Sequence, residues 1–216
     1  VDISYPNKES AVVKYVIDEG DKIFIKEINF EGNEAFDDGE LSDQIKTGEK
    51  WFMSWLTSTG LLKPDQIRQD AGRLITFYHN HGYLEAKIGE PEITQEKEWY
   101  FVTFNIEEGP RFRLGTVDIQ GELISDKEEI LNLLSIRDEE FLSRQQLRSD
   151  VMRITDYYAE RGYAFADVKP LMDKSDSGKR VDITIDITKS DLVYINRITL
   201  KEIPAPETMS FEEIYL

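Results

Sequence analysis

Apolar and polar positions alternate from Val13 onward, and the alternation predicts a strand, a turn and a second strand. Val13, Tyr15 and Ile17 form the first apolar set. Asp18-Glu19-Gly20-Asp21 is the turn, and Ile23, Ile25, Ile28 and Phe30 lead to a second turn at Gly32-Asn33. The pattern returns from Val102 to Glu122, where Leu114 stands 89 positions after Ile25. It begins a third time from Ile183 to Leu200. Self-similarity at a near-fixed period is the mark of a structural unit repeated in tandem.

Helical periodicity fills the space between the recurring strands. In the first repeat Leu41 and Ile45 mark a short helix, with Asp37 and Asp38 as capping candidates. Ile67, Ala71, Leu74 and Tyr78 lie on one face of a longer helix that starts near Pro64 and stops at Gly82. The second repeat places Leu147, Val151, Ile154 and Tyr158 each 80 positions later, with Gly162-Tyr163 matching Gly82-Tyr83. Ser125-Asp126-Lys127-Glu128 and Ser143-Arg144-Gln145-Gln146 read as capping boxes ahead of its two helices. Each long helix is followed by a predicted hairpin, about Leu84 to Thr94 and Glu98 to Glu107 in the first repeat. The order is strand, helix, helix, strand, strand.

The spacing sets expected boundaries. Residues 1–20 are the closing hairpin of a preceding repeat and 21–109 the first complete one. Residues 110–190 are the second, and 191–216 hold the first strand of a third plus a tail. The offset falls from 89 to 80 between the strand and the long helix. The first repeat therefore carries nine extra residues in and around Trp51-Phe52-Met53-Ser54-Trp55-Leu56. Trp51, Phe52 and Trp55 are candidates for partner contact, because exposed aromatics anchor interfaces. They could equally pack on their own helices.

Composition narrows the function classes. The net charge of −17 argues against a nucleic-acid backbone as ligand and against docking on anionic lipid by charge alone. There are no cysteines, which excludes disulfides and thiol catalysis. The two histidines, His79 and His81, are two apart near a helix end and are no metal pair. The helix C-terminus is expected to favour their charged form. No phosphate-binding glycine loop is present, and the adjacent carboxylates at 107–108, 128–129 and 139–140 do not suggest a catalytic cleft. No catalytic residue, metal or cofactor is expected. A small hydrolase is the alternative from another class, and it would need a concave site with perturbed carboxylates.

Taken together, several motifs resemble POTRA domains, the polypeptide-transport-associated repeats of outer-membrane assembly factors of the BamA type. They are the element order, the Glu-Gly turn before each repeat (Glu19-Gly20, Glu108-Gly109), Phe30 to Phe36 (FEGNEAF) and Thr57 to Leu62 (TSTGLL). To these add the helix pattern Asp70, Tyr78, Gly82-Tyr83 and its copy Asp150, Tyr158, Gly162-Tyr163. The resemblance implies an α+β fold of tandem β-α-α-β-β repeats, each a three-stranded mixed sheet covered by two helices. In that family the strand order is first, third, second, which leaves the second strand at an edge. It also implies a place at the periplasmic face of the outer membrane of a Gram-negative bacterium. The implied partners are unfolded outer-membrane β-barrel precursors, accessory lipoproteins and a membrane β-barrel domain of the same protein. A related two-partner secretion or cell-division protein, with one dedicated partner, is the same-fold alternative. An edge strand offers unpaired backbone groups to an incoming chain. The candidate peptide-binding residues are therefore Phe165, Ala166, Asp167, Val168 and Lys169, and Leu84, Glu85, Ala86, Lys87 and Ile88.

Overall fold

A computed structural model describes residues 2–7, 10–14, 23–50, 60–175, 179–194 and 197. Strands β1 (Asp2–Asn7) and β2 (Ser10–Lys14) form an antiparallel hairpin. The first unit runs β3 (Phe24–Glu31), α1 (Asp38–Ser42), α2 (Pro64–Asn80), β4 (Lys87–Ile88), β5 (Glu92–Glu96) and β6 (Trp99–Glu107). The second runs β7 (Arg113–Gly121), α3 (Lys127–Leu131), a 3-10 turn (Ser135–Asp138), α4 (Arg144–Ala159), β8 (Asp167–Lys174) and β9 (Arg180–Thr188). The order read from the alternation is present in both. No helix among the described residues is long and apolar enough to cross a membrane.

Both sheets are mixed, with the last strand in the middle. β3 pairs parallel with β6, and β7 parallel with β9. β4 and β5 pair antiparallel with the other side of β6, and β8 pairs likewise with β9. The central strands carry the sheet side of each core. Val102, Phe104 and Ile106 are buried in β6, and Val181, Ile183, Ile185 and Ile187 in β9. Alternate side chains of a strand share a face, so each of these rows lies under the helices. From the helix side Ile67, Leu74 and Tyr78 close the first core, and Leu147, Ile154 and Tyr158 the second.

Each core contains one fully buried carboxylate that ties the two helices together. Asp70 accepts the Lys46 and Thr47 amides, each at 2.9 Å, and pairs with Arg73. Asp150 accepts the Ile136 amide at 2.8 Å and the Gln146 amide group at 2.9 Å, and pairs with Arg153 at 2.7 Å. A buried charge is tolerable only when paired and hydrogen-bonded in this way. The segment leaving the short helix is thus fastened to the long one.

Several local expectations are corrected. The stretch from Leu84 to Thr94 is not one strand. Leu84 and Glu85 turn, held by the Ala86 amide donating to Tyr83 O at 3.1 Å, and pairing starts at Lys87. The edge then breaks between Ile88 and Glu92. Three residues there, Gly89-Glu90-Pro91, stand opposite two of β6, and the register shifts by one. Pro91 has no N–H to give a ladder, which accounts for the break at that point. In the second unit Ala164 and Phe165 form the matching turn, closed by the Ala166 amide donating to Tyr163 O at 3.2 Å, and β8 starts at Asp167. Of the two capping boxes, Ser125 is not the cap. Asp126 stands there with no side-chain bond, and the Tyr157 hydroxyl lies 2.9 Å from Ser125 Oγ and 2.7 Å from Glu129. At α4 only half the box forms, since Ser143 Oγ accepts the Gln146 amide while the Gln146 side chain turns to Asp150. The first-unit box is complete between Asp37 and Glu40.

Candidate peptide-binding edge

The four sheet edges differ in what already covers them. Along β3 the Gly60 carbonyl accepts the Ile25 amide at 2.7 Å, the Lys50 amide donates to Ile25 O at 2.8 Å, and Glu49 accepts the Ile28 amide at 3.0 Å. The start of β7 is met in the same way by the segment after α3, with the Leu114 amide donating to Glu140 O at 3.0 Å. Among the described residues the edges on the other side of the central strands, β4–β5 and β8, pair with no further strand.

β8 is the longer of the two and is unbroken. Its eight residues pair with β9 in an unbroken register from Asp167↔Thr188 to Lys174↔Val181. The next residue, Ser175, donates its amide to Arg180 O at 2.9 Å. In an antiparallel ladder bonded and non-bonded pairs alternate. Residues 167, 169, 171 and 173 therefore turn their backbone groups toward β9, and Val168, Pro170, Met172 and Lys174 turn theirs outward. Pro170 has no amide hydrogen, so the row of outward donors is notched at its centre. A proline is compatible with a strand at this kind of position, where its missing N–H would have faced away from the sheet.

The proposed residues now have places. Val168 is buried under α4 with its backbone outward, while Asp167 and Lys169 are exposed and form an ion pair that holds the Lys169 ammonium above its ordinary pKa. Phe165, 76% exposed, and Ala166 precede the strand. Leu171 and Met172, each 48% exposed, extend the candidate edge and were missed in the sequence, although Met172 continues the alternation of Val168 and Pro170. In the first unit only Lys87 and Ile88 are in strand. Leu84 and Ala86 are buried, and Glu85 pairs with Lys174 of the second unit. Trp51, Phe52 and Trp55 lie outside the described residues.

The joint beside β8 is closely knit. The Phe112 amide donates to Gly82 O at 2.8 Å, Arg111 Nε donates to His81 O at 2.9 Å, and the Arg111 guanidinium lies 3.4 Å from the centre of the Phe141 ring. Asn80 and Gln145 exchange two bonds, of 2.9 and 3.1 Å. Leu84 sits in the core of the second unit, not of its own. Gly82 has φ +92°, and a Cβ there would press on Phe112 O and on the Phe141 side chain, so no other residue fits without displacement. Gly162 repeats the arrangement, with φ +91° and its carbonyl accepting the Val193 amide at 2.9 Å.

His79 is pushed below its ordinary pKa, first by burial and then by the nearby Arg144, which reverses the expectation that the helix C-terminus would favour its charged form. Tyr78 is raised, first by burial and then by Glu108, which accepts its hydroxyl at 2.9 Å and also the Ala35 amide at 2.9 Å. Among the described residues no group of three acidic, histidine or cysteine side chains is placed to hold a metal ion. Both buried carboxylates are engaged by amides and arginines.

The family model "POTRA: Surface antigen variable number repeat" matches residues 23–109 and 112–190. The chain belongs to the POTRA family. Curated relatives include "Outer membrane protein assembly factor BamA" of Nitratidesulfovibrio vulgaris, 32% identical over 196 residues, which are 89% of this chain and 25% of that protein. The protein of the same description from Neisseria meningitidis serogroup B is 29% identical over 189 residues, 86% of this chain and 24% of its own. This POTRA chain thus spans about a quarter of the length of these relatives. Its fold is similar to that of the Haemophilus influenzae BamA POTRA3-5 crystal structure, with a TM-score of 0.64 at 23% identity. That match covers 81% of this chain and 69% of the other. It is also similar to BamA from Haemophilus ducreyi lacking POTRA domains 1-3, with a TM-score of 0.59 at 17% identity over 78% and 29% of the two chains.

Proposed function

We propose that this chain is the periplasmic POTRA region of an outer-membrane β-barrel assembly factor and that it binds unfolded barrel precursors by strand addition at β8. The chain acts by binding and scaffolding, with no catalytic step. On this reading it comprises two complete units, 21–109 and 110–190. The observation that supports the reading is the β8 edge, which no other described strand covers. It combines a continuous register, outward backbone groups at Val168 and Met172, and the exposed apolar side chains of Phe165, Leu171 and Met172. Main-chain bonds supply affinity with little demand on sequence, which suits a receptor for many alternating barrel strands. Accessory lipoproteins and a membrane β-barrel domain are the further partners, and the closely knit joint sets the spacing at which they are held.

The test is a backbone-amide NMR titration with an unfolded peptide taken from a barrel strand. Shifts are expected along Asp167 to Lys174. Proline at Ala166 would break the turn bond to Tyr163, and at Val168 it would remove a buried side chain, so Met172→Pro is the cleaner variant. Its outward amide is lost while the bonds of its neighbours to β9 remain. Affinity should fall about fivefold with the fold intact, the worth of one net hydrogen bond. Unchanged affinity in a folded Met172→Pro protein would sink strand addition at this edge.

A further inference from the structure

A second surface lies on the helical side of the joint, away from β8. A groove of about 860 Å³ runs along the outer face of α2, floored by Gly72 and Thr76 and walled by Arg73, Asn80 and Gln145. It continues into a smaller hollow of about 360 Å³ that adds His79, Arg144 and Arg148. The two share Thr76, Asn80 and Gln145, so they form one track across both units.

Its charge is opposite to that of the protein. The chain carries −17 overall, yet among the described residues no carboxylate lines either part of the track. Arg73 is neutralised by the buried Asp70. Arg144 and Arg148 are both exposed and have no carboxylate partner among the described residues. Arg144 lies close enough to His79 to act with burial in holding it below its ordinary pKa. An acidic surface repels acidic partners everywhere else, so this track is where one would be steered.

The floor adds an independent observation. Gly72 is inside a seventeen-residue helix, where glycine is unfavourable, and a Cβ built on it meets nothing within 4 Å. No contact within the described protein calls for the missing side chain. The matching residue of the second unit is Met152, 58% exposed, and Thr76 and Asn80 are matched there by Asp156 and Glu160. The same helix face is therefore open and amide-rich in one unit, and filled and acidic in the other.

We infer that this track is a docking site for an acidic, extended segment of a partner protein, with Arg144 and Arg148 pairing its carboxylates, the Gln145 side-chain NH2 donating to its backbone, and Thr76 Oγ1, whose own proton goes to Gly72 O, accepting from it. The site is independent of the β8 reading, and each can fail alone.

The probe is a synthetic peptide of alternating glutamate and threonine, titrated into the whole chain with amide shifts as readout. Shifts are expected at Gly72, Thr76, Asn80, Arg144 and Arg148, weakening as salt is added. The double variant Arg144→Glu/Arg148→Glu should weaken binding about tenfold or more. Gly72→Met, which installs the residue of the second unit, should weaken it with the thermal midpoint maintained or raised. Shifts confined to β8, equal binding of the lysine-for-glutamate peptide, or no shift at millimolar peptide would overturn the inference. So would binding to phosphatidylglycerol vesicles in place of the peptide.

Discussion

The two complete units agree in their interiors and part company on their surfaces. Ile67, Asp70, Leu74, Tyr78 and Gly82 are matched by Leu147, Asp150, Ile154, Tyr158 and Gly162, all at the same shift of 80. Four of these pairs are buried in their cores and the fifth closes the helix at positive φ. On the surface the pairs diverge: Gly72 against Met152, Asn80 against Glu160, Glu85 against Phe165. The edge strand is broken at Gly89–Pro91 in the first unit and continuous in the second. One fold thus serves as an internal control. What both units share is needed to fold, and what only one has is where a particular task is to be sought.

The largest test of the shared part is the buried carboxylate. Asp70→Ala and Asp150→Ala should each destabilise the protein by about 3–5 kcal/mol, because each leaves several loop and side-chain amide donors without their buried acceptor, while the partly exposed arginine can turn to solvent. Urea unfolding measures this. A loss below about 1 kcal/mol in either would show that the two aspartates are not equivalent clamps.

Next in size is Leu84, where the units exchange material. It belongs by sequence to the first unit and by packing to the second. Leu84→Ala should remove about 2–4 kcal/mol, the range for truncating a buried leucine. Hydrogen exchange should report the loss at amides of β9 and α4. Lost protection in β6 instead would return Leu84 to its own unit.

Much of the shared part was legible in the sequence, because burial imposes a period. The strand alternation, the helical face from Ile67 to Tyr78 and the stops at Gly82 and Gly162 all follow from it. The clamps left a signal too: an aspartate inside an apolar helix face, three residues before an arginine, at matching places in both repeats. The turns at 84–86 and 164–166 were not legible. Leu84 and Ala86 alternate with a polar residue as a strand would, and only the bonds back to Tyr83 and Tyr163 reveal a turn. Pro91 was a signal for the broken edge that the reading of one strand from Leu84 to Thr94 passed over, since proline within a strand pattern argues for a bulge. The candidate sites were legible only in outline. Edge strands follow from topology, but which backbone groups face outward depends on register, and the acid-free track depends on the junction of two units.

The contrast between the two edges can be sharpened at Pro170. Pro170→Val restores one outward N–H in the middle of β8 and leaves the pairing with β9 untouched, because that position faces away from it. Affinity for an unfolded barrel peptide should rise about fivefold or less, again one net hydrogen bond. No gain would mean that an added strand does not use the centre of this edge, and the broken first-unit edge would then be its equal.

The smallest effect is a pH difference that only the first unit can show, since His79 is matched in the second by Ala159. Burial and Arg144 hold the folded-state pKa of His79 below its ordinary value of 6.5. The unfolded chain, free of both, takes up its proton near that value. As pH falls through about 6.5 the unfolded state binds the proton first, so folding stability declines, and the decline ends once pH has passed the lower folded-state value. Above this window the residue contributes no pH dependence. His79→Gln should abolish this part of the slope while leaving stability at neutral pH nearly unchanged. The difference between the two proteins' stability curves, measured by urea unfolding across the acidic range, isolates it from His81 and the carboxylates. A difference of the opposite sign, with the parent gaining stability relative to the variant as pH falls, would mean that the helix C-terminus outweighs burial and Arg144. The positive field that marks the track beside His79 would then be too weak to steer an acidic partner.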